Sequence, residues 1–77
     1  MLRTNDQRLG TMIITINGEK KEISANCTIA ELLLGLGIDS RKIAIERNQT
    51  LVPRAKYAEA IIHDGDEIEI INFVGGG

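Results

Sequence analysis

The stretch at residues 12–23, "MIITINGEKKEI", decides how this chain folds. Successive side chains of an extended chain point to opposite sides, so Met12, Ile14 and Ile16 share one face while Ile13 and Thr15 share the other. The residues are mostly β-branched, as strands prefer. Asn17 and Gly18 then supply the positive φ angles of a two-residue hairpin turn. "EKKEI" returns as a second, more polar strand. The stretch is a β-hairpin with one apolar face, and an isolated hairpin is at best marginal in water. Something else in the chain must cover that face.

The next segment, "TIAELLLGLG" at residues 28–37, is suited to do so. Thr28 followed three residues later by Glu31 has the spacing of a capping box. Ile29, Leu32, Leu33 and Leu36 fall on one helical face. Gly37 suits a left-handed stop, with Ile38 as its apolar contact. "KIAIERN" gives a third strand centred on Ile43 and Ile45, and "TLVPR" a short extended piece. Pro53 lacks a donor, which places it at a sheet edge or strand end. "KYAEAII" reads as a brief helical turn, and "HDGD" as a tight turn in which Gly65 takes positive φ. "EIEIINF" is the last strand, with Ile68 and Ile70 on one face and Glu67, Glu69, Ile71 and Phe73 on the other.

The first and last strands are the most apolar and are expected to form the central pair. One helix on one face of a small mixed sheet is an α+β solution. Hairpin, helix crossover and returning strands in this order describe a β-grasp, or ubiquitin-like, fold with its C-terminal end leaving the sheet. The expected core is Ile14, Ile16, Leu32, Leu33, Ile45, Ile68 and Ile70. The expected organisation is a disordered N-terminal extension at residues 1–11, the β-grasp domain at 12–74 and a flexible glycine tail at 75–77.

At 77 residues the chain holds one domain. A chain of this size buries only about 60% of its unfolded surface, which leaves little core to spend on an enclosed active site. A carrier, binding or interaction module is expected in place of a self-sufficient enzyme. Apolar residues make up 43%, with one tyrosine and one phenylalanine, so the core is aliphatic. The net charge of −2 argues against a nucleic-acid partner, which calls for a basic face. One cysteine permits no internal disulfide, consistent with a reducing compartment. No apolar run is long enough to span a membrane. The first residues lack a signal peptide's apolar centre. A cytoplasmic protein is expected.

Few residues offer chemistry. No cysteine pair, phosphate loop or nucleophile elbow is present, and no metal or cofactor is expected. His63 reads as an ordinary turn residue. Cys27, just before the helix cap, is either a half-buried small apolar residue or a thiol with its pKa lowered at a helix N-terminus. Asp64, Asp66, Glu67 and Glu69 form a solvated turn and strand face, or the exposed Glu67 and Glu69 among them meet a basic partner and steer its approach. Ile71 and Phe73 lie on the same face as those glutamates. Either the short turn at 56–62 covers them, or they form an exposed patch that binds a protein.

The chain closes with Gly75, Gly76 and Gly77. A run without Cβ atoms is either a frayed end or a segment able to thread a narrow channel. Residues 74–77 reach about 14 Å at full extension, enough to carry a carboxylate into a partner's active site.

"NG" in the hairpin, "IAIERN" followed by "LVPR", then "DGDEIEI" and the final "VGGG" resemble the ThiS-like sulfur carrier proteins of thiamin thiazole biosynthesis. The resemblance runs from Met12 to Gly77. It implies that the Gly77 carboxylate is adenylated by a separate E1-like adenylating enzyme using ATP, then converted to a thiocarboxylate. It further implies a sulfur relay fed by a cysteine desulfurase and a thiazole synthase that accepts the sulfur. Gly75 and Gly76 would thread the tail, and Phe73, Ile71, Glu67 and Glu69 would meet the activating enzyme. The alternatives are a related carrier serving molybdopterin or tRNA thiolation, and a ubiquitin-like modifier or interaction module.

Overall fold

A computed structural model describes residues 10–73 of the chain. The described residues form strands β1 (Thr11–Ile16) and β2 (Glu19–Ser24), helix α1 (Ile29–Leu36), and strands β3 (Ile43–Arg47), β4 (Thr50–Val52) and β5 (Glu67–Asn72). Single 3-10 turns at Ser40–Lys42 and Arg54–Lys56 precede β3 and follow β4. The sheet order is β2-β1-β5-β3-β4, with β1 and β5 parallel and the other neighbours antiparallel. The first and last strands are thus adjacent inside the sheet, as their apolar content requires. This is the β-grasp arrangement.

Local chemistry accounts for each element. The hairpin closes through Asn17 at φ 50° and Gly18 at φ 85°, and its register pairs Ile16 with Glu19 and Thr11 with Ser24. Thr28 caps α1: its hydroxyl accepts from the Glu31 N–H while the Glu31 carboxylate accepts from the Thr28 N–H. Gly37, at φ 73°, ends the helix, and the Gly37 and Ile38 N–H groups donate to the carbonyls of Leu34 and Leu33. That pair of bonds satisfies two orphan carbonyls in a Schellman motif.

The core lies between α1 and the inner face of the sheet. Ile14, Ile16, Leu32, Leu33, Ile45 and Ile68 are buried as expected, joined by Met12, Ile29, Ile43, Tyr57 and Ile62. One expected core residue, Ile70, and one residue of the expected apolar helix face, Leu36, lie at its margin. Ile70 is half-buried, and Leu36 is 40% exposed. Both line an open groove of about 480 Å³ with Ile16 and Ile38, because the eight-residue helix stops short of that end of the sheet.

Two boundaries differ from the sequence reading. Thr11 belongs to β1, and the Gly10 carbonyl accepts from the Ala25 N–H, so these two residues join the domain and not the extension. The remainder of the expected extension, and the expected tail from Val74 onward, lie outside the described residues. The helical turn expected within 56–62 is a 3-10 turn at Arg54–Lys56. The segment after it packs under α1, where the Tyr57 and Ala60 carbonyls accept from the N–H groups of Ala30 and Ile29. It therefore lies on the helix side of the sheet and leaves the outer face bare.

Candidate functional site

Strand β5 presents Glu67, Glu69, Ile71 and Phe73 on the outer face, with Ile71 41% and Phe73 52% exposed. The turn near 56–62 does not cover this pair, which is exposed. Register extends the surface to neighbouring strands. Ala44 stands opposite Ile71, Glu46 opposite Glu69, and Thr15 opposite Glu67. Thr15, Gly18, Glu46, Gln49, Glu67 and Glu69 enclose a shallow depression of about 250 Å³. The surface is acidic at one end and apolar at the other, where the Phe73 N–H donates to the Lys42 carbonyl at 3.1 Å.

Glu46 and Glu69 are like charges set directly opposite each other, an arrangement that destabilises a sheet by a few tenths of a kcal/mol or more. No lysine or arginine among the described residues forms an ion pair with Glu46, Glu67 or Glu69. Unbalanced carboxylates beside exposed apolar groups suit a partner that brings cations and an apolar surface.

The acidic cluster read from sequence divides in two. Glu67 and Glu69 are exposed, whereas Asp64 and Asp66 are structural. Asp64 Oδ1 accepts from the Ile13 N–H at 2.9 Å and ties the turn to β1. Asp66 is 7% exposed. It accepts from the His63 N–H at 2.9 Å, from Arg47 Nε at 3.0 Å and from Asn48 Nδ2 at 3.1 Å. Burial pushes the Asp66 carboxyl up, but the bonds from His63, Asn48 and Arg47 outweigh it and hold the pKa below the ordinary value. Arg47 also donates to the Ile61 carbonyl. Asn48 completes the knot: its Oδ1 accepts from the Glu67 N–H at 2.9 Å. The start of β5 is thereby fastened to the β3–β4 turn, which fixes where Glu67 and Glu69 stand.

The two remaining candidates are not chemical centres. His63 is an exposed turn residue whose backbone N–H serves Asp66. Cys27 is half-buried, and burial, with Glu31 nearby, pushes its thiol up. That direction opposes the low-pKa reading. Among the described residues no cluster of three His, Cys, Asp or Glu side chains is placed to hold a metal. No helix of the described residues is long and apolar enough to cross a membrane.

Glu46, Arg47 and Asn48, and the second role of Asn17, escape the sequence reading. The outward direction of Glu46 follows from Ile43 and Ile45 facing in, but its pairing with Glu69 requires the register. Asn17 was read as a turn former only; its side chain also accepts from the Ile70 N–H at 2.8 Å. Gly75, Gly76 and Gly77 lie outside the described residues.

A family model described as the ThiS family matches residues 14–77. The chain is 50% identical over 66 residues to a thiazole synthase of Paramagnetospirillum magneticum, a match covering 86% of this chain and 20% of that protein. The chain thus spans about a fifth of the length of that relative. It is 35% identical over 66 residues to the sulfur carrier protein ThiS of Escherichia coli K12, covering 86% of this chain and 100% of the relative. The crystal structure of a thiamine biosynthesis protein (ThiS) from Geobacter metallireducens is similar with a TM-score of 0.76 at 28% identity, covering 86% of this chain and 100% of that one.

Proposed function

The chain belongs to the ThiS family, and from that premise we propose that it is a sulfur carrier of thiamin biosynthesis, with the carboxylate of Gly77 as the group that holds the sulfur. The observation that carries this reading is the family match, which runs through Gly77, together with the exposed acidic and apolar surface of the last described strand.

A carboxylate is a poor electrophile and must first gain a leaving group. In the proposed sequence a carboxylate oxygen of Gly77 attacks the α-phosphorus of ATP on an E1-like activating enzyme, and pyrophosphate departs. A protein persulfide fed by the cysteine desulfurase attacks the acyl-adenylate and displaces AMP to give an acyl disulfide, and a second thiol then reduces that bond, forming a protein disulfide and releasing the thiocarboxylate. A glycine at this position puts no Cβ beside the carbonyl under attack. Gly75 and Gly76 let the segment enter a channel fitted to bare backbone. Ile71 and Phe73 anchor the activating enzyme, while Glu67 and Glu69 steer its approach.

Thiazole synthase is the acceptor in this reading. A protein of that name containing a stretch half identical to this chain supports a working pair of carrier and synthase. The partners are proteins, with no nucleic acid or membrane required, and the cycle runs in the cytoplasm where ATP is supplied.

The test is intact-mass analysis after incubation with cysteine desulfurase, the cognate activating enzyme and ATP. The expected product is the chain with one oxygen replaced by sulfur. An unchanged mass, or an isopeptide adduct to lysine, contradicts the reading.

A further inference from the structure

The backbone of β5 is paired unequally on its two sides. Toward β3 it is held along its whole length, because Glu67 accepts from the Asn48 N–H, Phe73 donates to Lys42, and the register between them is unbroken. Antiparallel pairing bonds every second residue, so 67, 69, 71 and 73 turn their N–H and C=O groups to β3. Residues 68, 70 and 72 turn theirs toward β1. There the ladder ends early. β1 pairs only Thr15 with Glu67 and Ile16 with Ile68, and then the chain turns away at Asn17. Two bonds continue where the strand cannot: the Asn17 N–H donates to the Ile68 carbonyl at 2.9 Å, and Asn17 Oδ1 accepts from the Ile70 N–H at 2.8 Å. Past that point the Ile70 carbonyl and both backbone groups of Asn72 have no backbone partner among the described residues. Asn72 is exposed.

This open edge runs beside the groove of about 480 Å³, whose lining is half apolar (Ile16, Leu36, Ile38 and Ile70) and half polar (Asn17, Glu19, Lys21 and Asn72). Unpaired strand groups are a template for another strand. A strand placed on this edge would stand where β1 would have continued. Its side chains would alternate across the sheet, and one of each pair would drop into the groove that the short helix leaves uncovered. The backbone groups demand an extended chain, and the apolar part of the lining, Ile16, Leu36, Ile38 and Ile70, suits an apolar side chain on it.

We propose that residues 70–72 receive an extended segment of the activating enzyme by strand addition, with an apolar side chain of that segment seated between Leu36, Ile38 and Ile70. The assignment of the enzyme rests on the function proposed above. An enzyme that encloses the Gly77 carboxylate must approach along the strand that delivers it, and the free side of that strand is this one. The edge and groove are separate from the outer-face patch of Ile71 and Phe73, whose side chains point away from the helix. The two surfaces grip β5 from different directions.

Asn72→Pro isolates the edge. Asn72 sits opposite Ile43 as a pair not bonded to β3, so proline removes a donor that the sheet does not use. Ile71 before it is already extended, as a residue preceding proline prefers. The expected result is an unchanged unfolding midpoint with affinity for the activating enzyme, read by calorimetry, weakened about tenfold. In the wild-type chain the Asn72 amide should exchange freely with solvent alone and slow when the enzyme is added. That second measurement decides the matter if the proline variant does not fold. Unchanged affinity of a folded Asn72→Pro chain, or an Asn72 amide protected only by thiazole synthase, overturns the proposal. If the wild-type chain fails to bind the activating enzyme at all, the function proposed above falls with it. Loading and binding by wild type with no effect at Asn72 removes the edge alone.

Discussion

Asp66 shows how much one side chain decides in a domain of this size. Its carboxylate takes bonds from His63, Asn48 and Arg47 and joins three segments that are distant in sequence. Asp66→Asn keeps the shape but removes the charge and turns one acceptor into a donor that meets other donors. A buried bond to a charged group contributes about 1.5–3 kcal/mol, so a loss of about 2 kcal/mol is expected. The same residue sets an acid dependence. Its pKa is held low in the folded chain, while an unfolded aspartate titrates near about 3.9. The stabilisation is complete above about pH 4 and is lost as pH falls through the folded value. Asp39, held to about 2 by its hydrogen bonds from Arg41, titrates in the same acid range at an exposed position. Urea midpoints measured from pH 7 downward should therefore fall below about pH 4 for wild type, with a shallower fall for Asp66→Asn. Equal slopes would deny Asp66 its role.

At the scale of elements, β5 buries one face in the core and, in the proposed function, offers the other to the activating enzyme, and substitutions should separate the two. Leu33, which packs beneath the sheet at 2% exposure, and Phe73, at 52%, are the contrasting pair. Leu33→Ala should cost about 2–5 kcal/mol in chemical denaturation, because it opens a cavity in a closed core. Phe73→Ala should leave the midpoint nearly unmoved and weaken binding to the activating enzyme. Glu69→Gln should do something rarer: stabilise the free chain by about 0.2–1 kcal/mol through relief of the Glu46 pairing, while slowing association with the enzyme and flattening its salt dependence. A stopped-flow series at two ionic strengths reads both effects. These faces were legible in the sequence, because period-two alternation alone separates Ile68 from Glu67 and Glu69. So were the hairpin turn and the helix caps, whose chemistry is local. Tyr57 and Ile62 were not, because their burial comes from an irregular segment with no period, held by bonds to the helix start and to the Cys27 carbonyl. Nor was the structural role of Asp66, which depends on Arg47 and Asn48 arriving from another turn. Leu36 misled for the opposite reason. Its spacing is that of a core residue, but the sheet beneath it is left uncovered by the end of the helix.

The whole molecule is a small rigid presenter. Its sheet, helix and buried Asp66 knot hold β5 in place, and in the proposed function β5 offers two surfaces to the activating enzyme. The chemistry proposed is that of the Gly77 carboxylate inside other proteins. The position of that group along the chain is therefore what the function depends on most. An activating enzyme must hold the carboxylate in line with the α-phosphate of ATP, and a misplacement of about 1 Å can cost about a hundredfold in rate. Removing one residue moves the terminus by about 3.3–3.6 Å. The most direct measurement is the rate of sulfur loading, followed by intact mass, for wild type and for the chain lacking Gly77, with unfolding midpoints recorded for both. Wild type should gain sulfur, and the shortened chain should gain none while unfolding at the same midpoint. A shortened chain that takes up sulfur at the wild-type rate would contradict the account, because the sulfur would then reside somewhere other than the Gly77 carboxylate.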